Sequence, residues 1–132
     1  MSEYKYNCVM LIDDNEIDNL INAHVISKHN IAKNIIVQNS AKNALIYLSK
    51  ININNTNVIT PDVIMLDINM PLMNGFDFLM EFEKFDEMFI RKIKVIMLTS
   101  SVDPYDIRKS KEFKSVHFFI SKPLSIEHLY TI

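Results

Sequence analysis

Four apolar runs in this chain end on polar residues that could do chemistry together. Val63-Ile64-Met65-Leu66 runs into Asp67, and Val9-Met10-Leu11-Ile12 stops at Asp13-Asp14. Val95-Ile96-Met97-Leu98 stops at Thr99-Ser100, and His117-Phe118-Phe119-Ile120 is followed by Ser121-Lys122-Pro123. Short apolar runs of this kind read as strands buried on both faces of a sheet. Open α/β sheets bind ligands in the crevice beyond the C-terminal ends of their strands, where all these polar residues would fall. Asp13, Asp14 and Asp67, if brought together there, would repel one another strongly unless protonated or neutralised by a cation. Hard oxygen ligands with room for water suit Mg²⁺. Carboxylate, hydroxyl, ammonium and a divalent cation are the set needed to bind a phosphoryl group and stabilise its oxygens in transfer. A carboxylate can itself be the nucleophile, giving an aspartyl phosphate. Taken singly, each residue has a plainer role: an acidic pair opening a helix, a β-branched strand residue, a solvated lysine. Their convergence is what argues for a site.

The intervening segments read as the scaffold for that convergence. Strands are expected at about 7–12, 35–38 (Ile35-Ile36-Val37-Gln38), 63–66, 95–98 and 117–120. After the first, Asn15 offers an N-cap with Glu16 and Asp18 in the first turn. Ile17, Leu20, Ile21 and Val25 recur at helical spacing, so a helix runs to Lys28 or His29. Ser40 caps a second helix with a stripe of Ala41, Ala44, Leu45 and Leu48, fading near Lys50. Residues 52–60 read as an asparagine-rich surface loop. Phe76, Leu79, Phe82 and Phe85 mark a third helix, and Asp86-Glu87 opens an exposed stretch. Asp103-Pro104 is an N-cap followed by proline at the first helical position. The helix it starts, running to Phe113, carries little apolar surface: Tyr105, Ile107 and Phe113. Ser125 caps a short last helix. Lys122-Pro123 confines Lys122 to extended backbone and is a bond that can be cis. The sole glycine, Gly75, is the position freest to take a positive φ.

Five strands alternating with five helices imply an α/β fold with a five-stranded parallel sheet and helices on both faces. The flavodoxin-like doubly wound (βα)5 arrangement, strand order 2-1-3-4-5, sets the ends of the first, third and fourth strands side by side. At 132 residues the chain is expected to be a single domain, 1–132, with no second domain. A net charge of −2 gives no electrostatic footprint for direct nucleic-acid binding. One cysteine, Cys8, excludes an intramolecular disulfide and reads as a small buried hydrophobe. No apolar stretch approaches a membrane span and no signal-peptide pattern opens the chain, so a cytoplasmic location is expected. His24, His29, His117 and His128 are dispersed, without metal-ligand spacing.

These pieces resemble the receiver domains of two-component response regulators. The resemblance rests on Leu11-Ile12-Asp13-Asp14-Asn15, on Met65 to Gly75 (MLDINMPLMNG), on Leu98-Thr99-Ser100, and on Phe119-Ile120-Ser121-Lys122-Pro123, in the family's order and across almost the whole chain. It implies that Asp67 accepts a phosphoryl group from a phosphohistidine on a sensor histidine kinase or histidine phosphotransfer protein. It implies that Asp14 and Asp67 ligate Mg²⁺ directly with the backbone carbonyl of Asn69, while Asp13 holds the ion through water. It implies that Thr99 and Lys122 bind phosphoryl oxygens, and that Phe119 stands at the family's aromatic switch position. Phosphorylation would then bias a face built from the fourth expected helix, the fifth strand and the last helix, for an unknown downstream protein. Asn69 and Ser101 lie where the family tunes dephosphorylation. Lys114-Ser115-Val116-His117 replaces the small residues common before the fifth strand.

Two other readings compete. An aspartate-nucleophile phosphatase of the haloacid dehalogenase type places a second Asp two residues after the nucleophile, but Asn69 stands there and carries no titrating proton. A receiver-shaped interaction module that is never phosphorylated usually lacks an acid or the lysine, and this chain keeps Asp13, Asp14, Asp67, Thr99 and Lys122.

Overall fold

The computed structural model describes residues 3–52 and 58–132. Of the asparagine-rich loop expected at 52–60, residues 53–57 lie outside the described residues. The chain forms β1 (Tyr6–Ile12), α1 (Glu16–Lys28), β2 (Ala32–Gln38), α2 (Ala41–Asn52), β3 (Val63–Leu66), α3 (Gly75–Phe82), α4 (Glu87–Arg91), β4 (Lys94–Thr99), α5 (Pro104–Ser110), β5 (Val116–Ser121) and α6 (Ile126–Thr131). The five strands pair in parallel in the order β2-β1-β3-β4-β5.

Period-two alternation sorts the strand residues into two cores. Met10, Ile12, Ile64, Leu66, Val95 and Met97 pack with Ala44 and Leu48 of α2 and Phe78, Leu79 and Phe82 of α3. Val9, Leu11, Val63, Met65, Ile96 and Leu98 pack with Ile26 of α1, Leu124 of the β5–α6 loop and Leu129 of α6. β3 is buried at all four positions, as a central strand covered on both faces must be. Cys8 is buried and unpaired.

The expected caps are present. Asn15, Ser40, Asp103 and Ser125 each accept a backbone N–H of the helix that follows, and Asn74 and Asp86, not foreseen as caps, do the same for α3 and α4. Lys122-Pro123 is cis.

Several elements differ from the expectation. Most of the apolar stripe of α1 faces outward: Ile17 and Leu20 are each 68% exposed, Val25 packs against a core, and the buried face carries Asn19, Asn22 and Ile26. Those three residues also recur at helical spacing, and the Asn19 amide is drawn inward to donate to the Asp13 carbonyl at 2.8 Å. The stretch after Asp86 is not simply exposed. It forms a sixth helix, α4, which buries Phe89 and Ile90 and sets Phe89 edge-on to Phe85 at 5.9 Å. α5 stops at Ser110, its one buried residue, and Phe113 lies beyond it, stacked on Phe76 at 6.0 Å. β2 begins three residues before the expected strand, since an edge strand accommodates the polar Lys33 and Asn34. Before β5, Ser115 is held by Glu83, and the β4–β5 register shifts between Val95 and Ile96, passing over His117.

Gly75 does not take a positive φ. Its role is close approach: a Cβ there would stand 2.5 Å from the Asp67 carbonyl oxygen. The Gly75 N–H donates to the Ile68 carbonyl at 2.8 Å, so the start of α3 lies directly against the end of β3. We therefore expect Gly75→Ala to destabilise the fold by about 1–3 kcal/mol, the cost of a forced backbone shift, measured by urea denaturation. Unchanged stability would contradict the tight contact.

Candidate functional site

Backbone hydrogen bonds carry the parallel ladder one step past each strand and so fix the side chains at the rim. The Asp13 N–H donates to the Gln38 carbonyl at 3.2 Å, Asp67 to Ile12 at 3.0 Å, and Lys122 to Thr99 at 2.9 Å. Asp13 and Asp67 are buried and Thr99 is fully so, whereas Asp14 is exposed at the mouth. Each of Asp13, Asp14 and Asp67 offers a carboxylate oxygen, and these oxygens lie within 4.8 Å of one another. That spacing suits a hard divalent cation bound by carboxylates with water completing its sphere.

Lys122 stands over the cluster, itself largely buried. Its ammonium donates to Asp13 Oδ2 at 2.6 Å and to Asp18 Oδ2 at 2.8 Å. Asp67 Oδ1 is farther, at 3.7 Å. Asp13 spends its other oxygen on the Asn15 N–H at 2.9 Å, which ties the pocket to the start of α1. The Thr99 hydroxyl lies close enough to the Asp67 carboxylate to favour its charged form, and it accepts the Ser101 N–H at 3.2 Å. Ser101 Oγ in turn donates to Asp106 of α5 at 2.6 Å. Thr99 is thus linked through one residue to the helix that follows β4.

Charge at the pocket is unbalanced. Burial raises the pKa of the Asp67 carboxyl, and the negative charge of Asp13 raises it further. Lys122, the Thr99 hydroxyl and the Ile68 N–H oppose that rise without cancelling it. Burial pulls the other way on Lys122, disfavouring its charge. Its hydrogen bonds to Asp13 and Asp18 and the charges of Asp67 and Asp13 outweigh burial, so its pKa is raised and it stays an ammonium.

The residues expected from the sequence therefore come together: Asp13, Asp14, Asp67, Thr99 and Lys122 share one rim. Asn69 is exposed in the β3–α3 loop. Phe119 is half-buried on β5 beside Met97, against the α2–α3 core. The sequence reading missed Asp18 as a member of the site. At the third position of a helix it looked like a dipole acid, and its partner is 104 residues away.

The sequence matches the family model of the response regulator receiver domain over residues 9–132. The chain belongs to this family. Receiver domains are signalling modules of two-component systems. The fold is similar to that of a two-component response regulator from Cytophaga hutchinsonii, with 30% identity, a TM-score of 0.83, and 95% and 94% of the two chains covered. It is also similar to the phosphorylated cyanobacterial phytochrome response regulator RcpA, with 26% identity, a TM-score of 0.71, and 96% and 87% covered. The sequence is 35% identical over 72 residues to the sensor histidine kinase CheAY of Helicobacter pylori. That match takes in 54% of this chain and only 9% of the kinase. Among the described residues, no helix is long and apolar enough to cross a membrane.

A carboxyl whose folded pKa lies above its unfolded value costs stability once pH exceeds the unfolded value, and the cost fades as pH falls through the folded one. Asp67 is such a group. In metal-free buffer at neutral pH, Asp67→Asn should therefore raise the thermal midpoint, and acidification should narrow its lead over the wild type. A lower midpoint for the variant at neutral pH would contradict this charge balance.

Proposed function

We propose that Asp67 accepts a phosphoryl group from a phosphohistidine on a sensor histidine kinase or histidine phosphotransfer protein. The carrying observation is a buried carboxylate, Asp67, with two more acids, a hydroxyl and an ammonium at the same rim. In the transfer, an Asp67 carboxylate oxygen bonds to phosphorus as the phosphorus–nitrogen bond to the donor imidazole breaks. The bonding pair leaves with the imidazole. Such a reaction asks mainly for positioning and charge stabilisation, which the rim's fixed groups offer.

The donor set fits Mg²⁺, with oxygen ligands only and one acid, Asp14, open to water. Asp14 and Asp67 would hold the ion directly with the Asn69 backbone carbonyl, and Asp13 through water. The bound ion supplies positive charge between the acids and the incoming phosphoryl oxygens. Thr99 and Lys122 are the remaining groups for those oxygens. Lys122 must give up part of its hold on Asp13 and Asp18 to reach them, while the Thr99 hydroxyl can donate its hydrogen as it accepts the Ser101 N–H.

Movement of Thr99 would reach α5 through Ser101 and Asp106, and would open space for Phe119 to turn inward. The face that responds comprises α5, β5 and α6, where Val102, Tyr105 and Tyr130 are exposed. We read it as the surface for a downstream protein. Val102, Tyr105 and Tyr130 lie outside both cores, so docking could change at them without disturbing the sheet.

With Mg²⁺ and acetyl phosphate or phosphoramidate, the folded protein should gain the mass of one phosphoryl group. Asp67→Asn should abolish the gain, as should replacing Mg²⁺ with a chelator. Undiminished labelling of that variant at another residue, or no gain by the folded wild type, would overturn the assignment.

A further inference from the structure

Lys122 is shared by more groups than phosphoryl binding calls for. Its ammonium has three hydrogens. Two are directed at Asp13 and Asp18, at 2.6 and 2.8 Å, while Asp67 at 3.7 Å lies beyond hydrogen-bond reach. Asp18 stands in the first turn of α1, where its backbone N–H is held by the Asn15 cap at 3.0 Å. Asn15 also donates its own N–H to Asp13. One capping residue thus fixes both acids that hold the lysine. The Asp18 side chain is one-third exposed and the Lys122 side chain 12% exposed. The pair therefore closes the rim on the α1 side.

We propose that Asp18 is a positioning residue that competes with the phosphoryl group for Lys122. This inference rests on the reading of Asp67 as phosphoacceptor. Asp13 faces both the cation cluster and Lys122, so a bound cation draws on the same carboxylate that now holds the ammonium. Asp18 does not belong to that cluster, so its carboxylate is not drawn on by a cation bound there. The ammonium then divides between a carboxylate on α1 and the oxygens on Asp67. Asp18 weakens the modified state. Phosphorylation in turn loosens the tie between the β5–α6 loop and the start of α1.

The test is beryllofluoride binding in Mg²⁺, followed by fluorine NMR, for the wild type, Asp18→Asn and Glu16→Gln. Glu16 is an acid in the same turn of α1, and its removal takes away the same charge without touching Lys122. Asp18→Asn should bind the mimic roughly two- to fivefold more tightly, the scale on which partly exposed ion pairs act. Glu16→Gln should bind as the wild type does, and Asp18→Glu should restore wild-type affinity. Unchanged or weaker binding by Asp18→Asn overturns the proposal, as does equal tightening by Glu16→Gln, which would mean bulk charge alone. If circular dichroism shows Asp18→Asn unfolded, Asp18→Ser is read in its place by the same criteria. A wild type that fails to bind the mimic, or a bound signal that survives in Asp67→Asn, removes the phosphoacceptor reading itself. Normal Asp67-dependent binding with no effect at Asp18 removes only this inference.

Discussion

Negative charge crowded into a buried rim is the constraint on which the rest of this molecule depends. Asp13 and Asp67 are taken almost entirely out of water with Asp14 beside them, and one ammonium, Lys122, is set against the group. An ammonium shared among Asp13, Asp18 and a distant Asp67 does not neutralise them all, and the Asp67 carboxyl is raised in pKa first by burial and then by the charge of Asp13. Such a pocket suits a hard cation, whose charge would offset that of the acids.

Much of the scaffold keeps that arrangement from relaxing. The backbone at Asp13, Asp67 and Lys122 is pinned to neighbouring strands, so the acids cannot swing apart without breaking the sheet's last hydrogen bonds. Gly75 lets α3 press on the Asp67 carbonyl. α1 turns its asparagines inward, and Asn19 is the cost of that choice. Its Nδ2 supports the Asp13 carbonyl, while its Oδ1 is buried without a hydrogen-bond partner among the described residues, a penalty of about 1–3 kcal/mol in a typical fold. Exposing Ile17 and Leu20 belongs to the same orientation. Stability is given up on α1 where its first turn meets the rim.

How far the sequence could be read follows from the range of each interaction. The strands were legible because buried parallel strands leave short apolar runs, and the acids at their ends marked the rim. The caps at Asn15, Asp103 and Ser125 were legible because capping acts over three residues or fewer. The facing of α1 was not, since two stripes share its helical period and the choice between them depends on a bond to Asp13. The turn at Glu87–Arg91 was hidden because its charged ends outweigh Phe89 and Ile90 in a five-residue span. Gly75 was marked as special for the wrong reason: the carbonyl it accommodates belongs to another segment. Asp18 escaped because its lysine arrives only when the fifth strand docks.

The central claim is that Asp13, Asp14 and Asp67 share a single divalent cation. Mn²⁺ titration of the isotopically labelled protein tests it most directly, because a paramagnetic ion broadens the amide signals around the place where it sits. Saturable broadening confined to residues around Asp13, Asp14 and Asp67 is expected, reversed by excess Mg²⁺ and weakened in Asp14→Asn. Broadening centred elsewhere, or broadening there that Mg²⁺ fails to reverse, would contradict it.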